Sequence, residues 1–188
     1  YFTAETKPKH MKRIIFIYGC IAGAIIITSM MVTMPFVNDG TLDMNSSQWL
    51  GYITMTIALS VIFFSVKSYR DNQMNGAITF GQGFKIGILI ALVASVIYVV
   101  WWEIYMHFYM PDFMETYAQK TMEAAKASGA SDEELAKKLE KTTEAQEMYG
   151  KFYIRVLITF SEIFPVGLLL SLVSAALLKR KDVLPANQ

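Results

Sequence analysis

The sequence predicts an all-α protein: a four-helix transmembrane bundle with an extracytoplasmic helical hairpin between spans three and four. Three observations carry this. Hydrophobic residues fill 54% of the 188 positions and mean hydropathy is +0.35, above what a small soluble domain carries. The apolar residues are gathered into four blocks, 14–37, 49–66, 84–110 and 152–178, each long enough to cross a bilayer. Backbone in hydrocarbon must satisfy its own hydrogen bonds, so blocks of this length are helices and not strands.

The chain divides into an N-terminal tail (1–13), the membrane domain (14–178) and a C-terminal tail (179–188). Residues 1–10 are polar, unpatterned and precede Met11-Lys12-Arg13, which would make a natural start; they are set aside from the fold. Lys7, Lys9, His10, Lys12 and Arg13 ahead of an apolar run raise a signal peptide as the competing reading. The run is too long for that, and no Ala-x-Ala site precedes Pro35, so 14–37 is an uncleaved first span. Gly19-x-x-x-Gly23 lets a second helix come close, from within the chain or from a second copy. Pro35 and Asn38-Asp39-Gly40 end the span.

The following loop holds Asp39 and Asp43 and no Lys or Arg. Ser46 or Ser47 caps the second span, 49–66, which Trp49 and Tyr52 anchor at the interface. Thr54, Thr56 and Ser60 can bond to their own backbone, and Lys67 and Arg70 stop the span. The Gly81-Gln82-Gly83 stretch is a tight turn or short interfacial helix. A phosphate loop would need a preceding strand and a following Gly-Lys-Ser/Thr, and neither is present.

The third span, 84–110, is as long as the fourth and rises roughly 39 Å over about 26 residues. Gly83, Gly87, Ala91 and Ser95 make a smooth stripe along it. It ends in an aromatic belt, Tyr98, Trp101, Trp102, Tyr105, Phe108 and Tyr109, with Glu103 and His107 set among the rings.

Segment 111–151 reads as a helical hairpin. Pro111 suits a helix start, Ser128-Gly129-Ala130 makes the break, and Ser131-x-x-Glu134 is a capping box for the second helix. Met114, Tyr117, Met122 and Ala125 in one helix and Leu135, Leu139 and Met148 in the other recur at helical spacing and are the expected seam. Six lysines against nine acids leave the hairpin at −3; these charges solvate it or present a face to a protein partner. The fourth span, 152–178, carries Gly167, Ser171 and Ala175 as a further small-residue stripe.

Lys and Arg counts set the topology. Lys7, Lys9, Lys12, Arg13, Lys67, Arg70, Lys85, Lys179, Arg180 and Lys181 collect on one side, so both termini are expected in the cytoplasm and the hairpin outside.

Four ionisable residues fall within or beside the spans: Glu103, His107, Arg155 and Glu162. Such groups are costly at membrane depth and are functional candidates by default. Glu103 and His107 share a face of helix three, and Arg155 and Glu162 one of helix four. Glu103 lies about 12 Å in from Pro111, and an ion pair with Arg155 on the antiparallel helix is available. Glu162 lies about 16 Å in from Lys151, in Phe160-Ser161-Glu162-Ile163-Phe164-Pro165, where the proline can kink the helix. A protonated Glu162 bonded to a neighbouring Ser or Thr, a proton- or ion-binding carboxylate, and a ligand contact are the readings open to it.

Enzyme motifs are missing: no His-Glu-x-x-His, no Gly-x-Ser-x-Gly, no Cys/His cluster. Two His and one Cys cannot make a His-rich metal site or an internal disulfide, and the Met residues are scattered. No cofactor and no metal are expected. The net charge of +1 argues against nucleic acid.

Met11-Lys12-Arg13-Ile14-Ile15 with Tyr18-Gly19 and Ala22-Gly23, then 78–87 (ITFGQGFKIG), Pro111-Asp112-Phe113, and 167–175 (GLLLSLVSA) with Lys179-Arg180-Lys181, form a layout that resembles the DUF4199 family. These are small membrane proteins of unknown function common in Bacteroidota, so the resemblance implies a bacterial inner membrane and supplies no catalytic residues. The expected role is a non-enzymatic accessory or scaffold protein, in contact with the lipid bilayer, engaging a membrane or periplasmic partner through 111–151, with self-association through the glycine stripes also open. The alternative is a small transporter or channel built on Glu162.

Overall fold

The computed structural model describes residues 6–42 and 44–180. The expectations that named Asp43, Lys181 and the rest of the C-terminal tail lie outside the described residues, as do the side chains of Lys7 and Lys9. Seven helical segments follow in order: α1 (Thr6–Asn38), α2 (Met44–Leu59), α3 (Val61–Gln73), α4 (Phe80–Phe108), α5 (Phe113–Ala127), α6 (Asp132–Gly150) and α7 (Phe152–Leu178). No strand occurs among the described residues. Among the described residues four stretches are long and apolar enough to cross a membrane: His10–Val37, Ser46–Gln73, Phe80–Phe108 and Phe152–Leu178.

The helix ends correct several expectations. Residues 6–10, set aside from the fold, are the first turn and more of α1. Pro35 does not end α1: the Asp39 N–H still donates to the Pro35 carbonyl at 3.0 Å, and the chain turns at Gly40, whose φ is +80°. Proline removes only its own donor, and a helix pinned elsewhere tolerates that loss. Helix α2 begins at Met44, which puts Ser46 and Ser47 inside its first turn.

Lys67 and Arg70 do not stop the second span. At Ser60 the ladder tightens: its N–H is shared between the Thr56 and Ile57 carbonyls, and Phe63 N–H reaches back only to Ser60. Ser60 keeps helical angles, φ −60° and ψ −18°, so α3 carries on to Gln73. The glycine-rich link is also helical. Thr79 and Gln82 form a reciprocal cap, Gln82 N–H donating to Thr79 Oγ1 and Thr79 N–H to Gln82 Oε1, both at 3.3 Å. Gly81, Gln82 and Gly83 therefore lie in the first turn of α4, and the reversal is made earlier by Asn75 and Gly76 at φ +51° and +77°.

The chain forms two compact units, one of Tyr1–Tyr98 with Phe160–Gln188 and one of Val99–Thr159. The first unit is the bundle, and its register can be read from the glycines. A Cβ on Gly19 would lie 2.6 Å from Val93, and one on Gly23 would lie 2.7 Å from Ile97, so α1 runs parallel to α4. Gly83 meets Ala175, Gly87 meets Ser171 and Gly167 meets Ala91, so α7 runs antiparallel to α4 with the two small-residue stripes face to face. On α3, Val66 opposes Gly83 and Ile62 opposes Gly87. All three stripes thus face other helices of the same chain. Ala22, Ala58, Leu59, Ile62, Val66, Ile86, Ile90, Ala94, Ile163, Ala175 and Leu178 are wholly buried between these helices. Of the expected backbone-bonding hydroxyls, Thr56 bonds Tyr52 and Ser60 bonds Ile57, whereas Thr54 accepts from Ser29 across to α1 at 3.2 Å.

The second unit contains the hairpin. Ser131 caps α6 as the spacing predicts, with both halves of the capping box present. Gly129 turns the chain at φ +78°, and Ala130 N–H returns to the Ala125 carbonyl. Ala125 is the buried residue of α5 and Thr142 that of α6. Leu139 and Met148 are not in the seam: they are 54% and 50% exposed.

Candidate functional site

Glu103 on α4 and Arg155 on α7 are paired, both in the second unit. Arg155 Nε donates to Glu103 Oε1 at 2.8 Å and Nη2 to Oε2 at 2.6 Å, the two-pronged geometry a guanidinium makes with a carboxylate. Nη1 donates to the Tyr149 carbonyl at 3.2 Å, and the guanidinium carbon lies 5.9 Å from the Tyr149 ring centre. The Tyr149 hydroxyl in turn accepts from Trp102 Nε1 at 2.6 Å. Both ionised side chains keep about a fifth of their surface, 18% for Glu103 and 19% for Arg155. This cluster knits α4, the end of α6 and the start of α7 together, with Trp102 edge-on to Phe113 of α5 at 5.4 Å. With both carboxylate oxygens and three guanidinium nitrogens engaged, it is a closed structural pair.

His107 does not join it. The ring is exposed and sits edge-on against Phe108 at 4.7 Å.

Glu162 falls in the first unit. Tyr98 of α4 donates from its hydroxyl to Glu162 Oε2 at 3.3 Å. Tyr98 is 7% exposed and Glu162 half-buried. Helix α7 runs unbroken through Pro165, which is exposed. A phenol donating to a carboxylate in an apolar bundle is a site where a proton can be held or exchanged.

Sequence reasoning missed a third group. Arg70, read as a topology marker, is fully buried in α3 and donates from Nε to Asp71 Oδ1 at 2.7 Å. Lys67 Nζ takes the other oxygen of Asp71, also at 2.7 Å. The Lys67–Asp71 spacing of four residues is an ordinary helical ion-pair signal, and it goes unread once the helix is assumed to stop at Lys67. Among the described residues two buried polar atoms lack a hydrogen-bond partner, Ser65 Oγ in the first unit and Trp101 Nε1 in the second. Among the described residues no three His, Cys, Asp or Glu side chains gather to hold a metal.

The family profile for a protein of unknown function, DUF4199, matches residues 17–180. The chain belongs to the DUF4199 family. No curated protein and no solved structure matches it. Every group described above lies within the matched part of this DUF4199 protein. The family's description names no activity, so the reading rests on the chemistry of these groups alone.

Proposed function

We propose that this DUF4199 protein is a non-enzymatic accessory or scaffold protein of the bacterial inner membrane that engages a membrane or extracytoplasmic protein through its α5–α6 hairpin. In this reading both termini face the cytoplasm, as the distribution of Lys and Arg supports. The observation that carries it is the outer face of α6. Leu139, with over half its surface in solvent, shares a shallow open concavity with Ala136, Thr143, Glu140, Glu144 and Glu147. An apolar centre ringed by carboxylates is the layout of a small interface core with a charged rim. The closed Glu103–Arg155 pair supports the same reading, because it stiffens the base of the hairpin rather than offering a reactive group.

Native mass spectrometry of the complex extracted gently from membranes tests this, with wild type beside Leu139→Arg. A stoichiometric partner in the wild type that is lost in the folded variant is the expected result. A chain that leaves the membrane alone in both cases sinks the proposal.

One observation favours a second reading, a small proton-coupled carrier. It is supported by the Tyr98–Glu162 contact, in which a phenol donates to a carboxylate within the bundle. That reading predicts flux in proteoliposomes that Glu162→Gln abolishes, and the scaffold reading predicts none.

A further inference from the structure

The register of the first unit gathers one end of every spanning helix. Because α1 runs parallel to α4, and α3 and α7 run against it, the starts of α1 and α4 meet the ends of α3 and α7. Lys12 and Arg13, Lys85, Lys67 and Arg70, and Lys179 and Arg180 all fall there. The acid among the described residues at that end is Asp71, already engaged by Lys67 and Arg70. Lys12, Arg13, Lys85, Lys179 and Arg180 are all exposed.

The neighbours of these cations decide what kind of anion they suit. Phe16, 65% exposed, follows Arg13 by less than one turn of α1, and Leu177, 43% exposed, precedes Lys179 on α7. Lys179 Nζ stands 6.0 Å from the centre of the Phe80 ring, which is itself stacked on Phe84. Arg13 and Lys179 therefore adjoin exposed apolar surface on helices of membrane-spanning length. A nucleic acid or an acidic protein would leave those apolar faces wet. An amphipathic anion, with phosphate above and hydrocarbon below, covers both.

We propose that this end of the bundle binds the headgroups of anionic phospholipids, with Lys12, Arg13, Lys85, Lys179 and Arg180 contacting phosphate. Basic clusters between or beside spanning helices select anionic headgroups in this way, and the selection weakens as salt screens it. The Lys67–Asp71–Arg70 group acts as an internal brace that holds the end of α3 in place.

The test uses the full chain in nanodiscs of phosphatidylcholine with a minority of phosphatidylglycerol, followed by native mass spectrometry of the lipids that stay bound on release. The wild type is expected to retain phosphatidylglycerol at about threefold or more over its bulk share, and to lose that excess at high salt. The variant K12Q/K85Q/K179Q/R180Q should retain lipids in the bulk ratio, while K126Q/K137Q/K138Q/K141Q in the hairpin, the same change in charge, should keep the enrichment. A wild type without enrichment, enrichment that survives high salt, or equal loss in the hairpin variant overturns the proposal. Complete displacement by inorganic phosphate alone would do so too, because a free anion would then suffice. Should the first variant fail to fold, the salt titration on wild type still decides.

Discussion

In the bundle unit a Cβ added at Gly167 would lie 2.5 Å from Ala91 Cβ, and one at Gly87 would lie 2.8 Å from Ser171. In the hairpin unit, Gly129 and Gly150 have nothing within 4 Å, and the closest engagements are polar: a two-pronged ion pair and a Trp–Tyr hydrogen bond. The bundle holds many wholly buried aliphatic side chains, whereas the hairpin unit has none, its most buried apolar residue being Ala125 at 3%. The contrast follows from solvent. Between helices in lipid there is no hydrophobic driving force, so close packing of small residues must supply the attraction. Where water has access, apolar burial is limited by the size of the seam, and charge-assisted hydrogen bonds and aromatic contacts hold the elements instead.

That contrast is easiest to break at Gly167. Gly167→Val should destabilise the protein by about 3 kcal/mol, because the Ala91 backbone cannot retreat. Gly51→Ala, in α2 with nothing within 4 Å, should raise stability by up to about 1 kcal/mol through helix propensity. Thermal unfolding in detergent compares them; equal effects from the two would refute glycine-mediated packing.

Glu103→Gln tests the other side. It leaves the Arg155 guanidinium largely buried without its counter-charge, and about 2 kcal/mol should be lost, less than for a fully buried pair because a fifth of each side chain meets solvent. Hydrogen exchange should quicken in residues 113–150, and Glu103→Gln with Arg155→Gln should recover part of the loss. If the double variant is no better than the single, the pair is not the source. A smaller step is Tyr149→Phe, which removes the acceptor of Trp102 Nε1 and should cost about 1 kcal/mol. Unchanged tryptophan emission and melting together would show that this bond contributes nothing.

The smallest effect concerns the α6 cap. The Ser131 backbone N–H, and then its hydroxyl, donate to Glu134 and hold its carboxyl below the usual glutamate range, against a lesser opposing effect of burial. A lowered folded value means the cap stabilises above the unfolded value and is lost as pH falls through the folded one. Amide exchange across 131–135 should therefore rise on acidification below the usual glutamate range. Ser131→Ala should remove most of that pH dependence, and an identical profile in the variant would rule the cap out as its cause.

Much of this was legible residue by residue. The four spans, the hairpin break at Gly129, the capping box at Ser131 and the Glu103–Arg155 pair follow from apolar run length and local spacing, which the backbone obeys wherever it lies. Helix ends were harder. Proline is a poor helix former and Arg70 reads as the charged end of an apolar run, yet α1 runs past Pro35 and α3 past Arg70. The same limit applies to partners across the bundle. The pattern puts Glu162 in the span but cannot reveal that Tyr98, sixty-four positions away, supplies its hydroxyl. Nor can it tell whether Gly19 and Gly23 meet a second copy or Val93 and Ile97. Periodicity marks a face and its character; which surface meets that face depends on the register among helices, and register comes from side chains far apart in the chain fitting together.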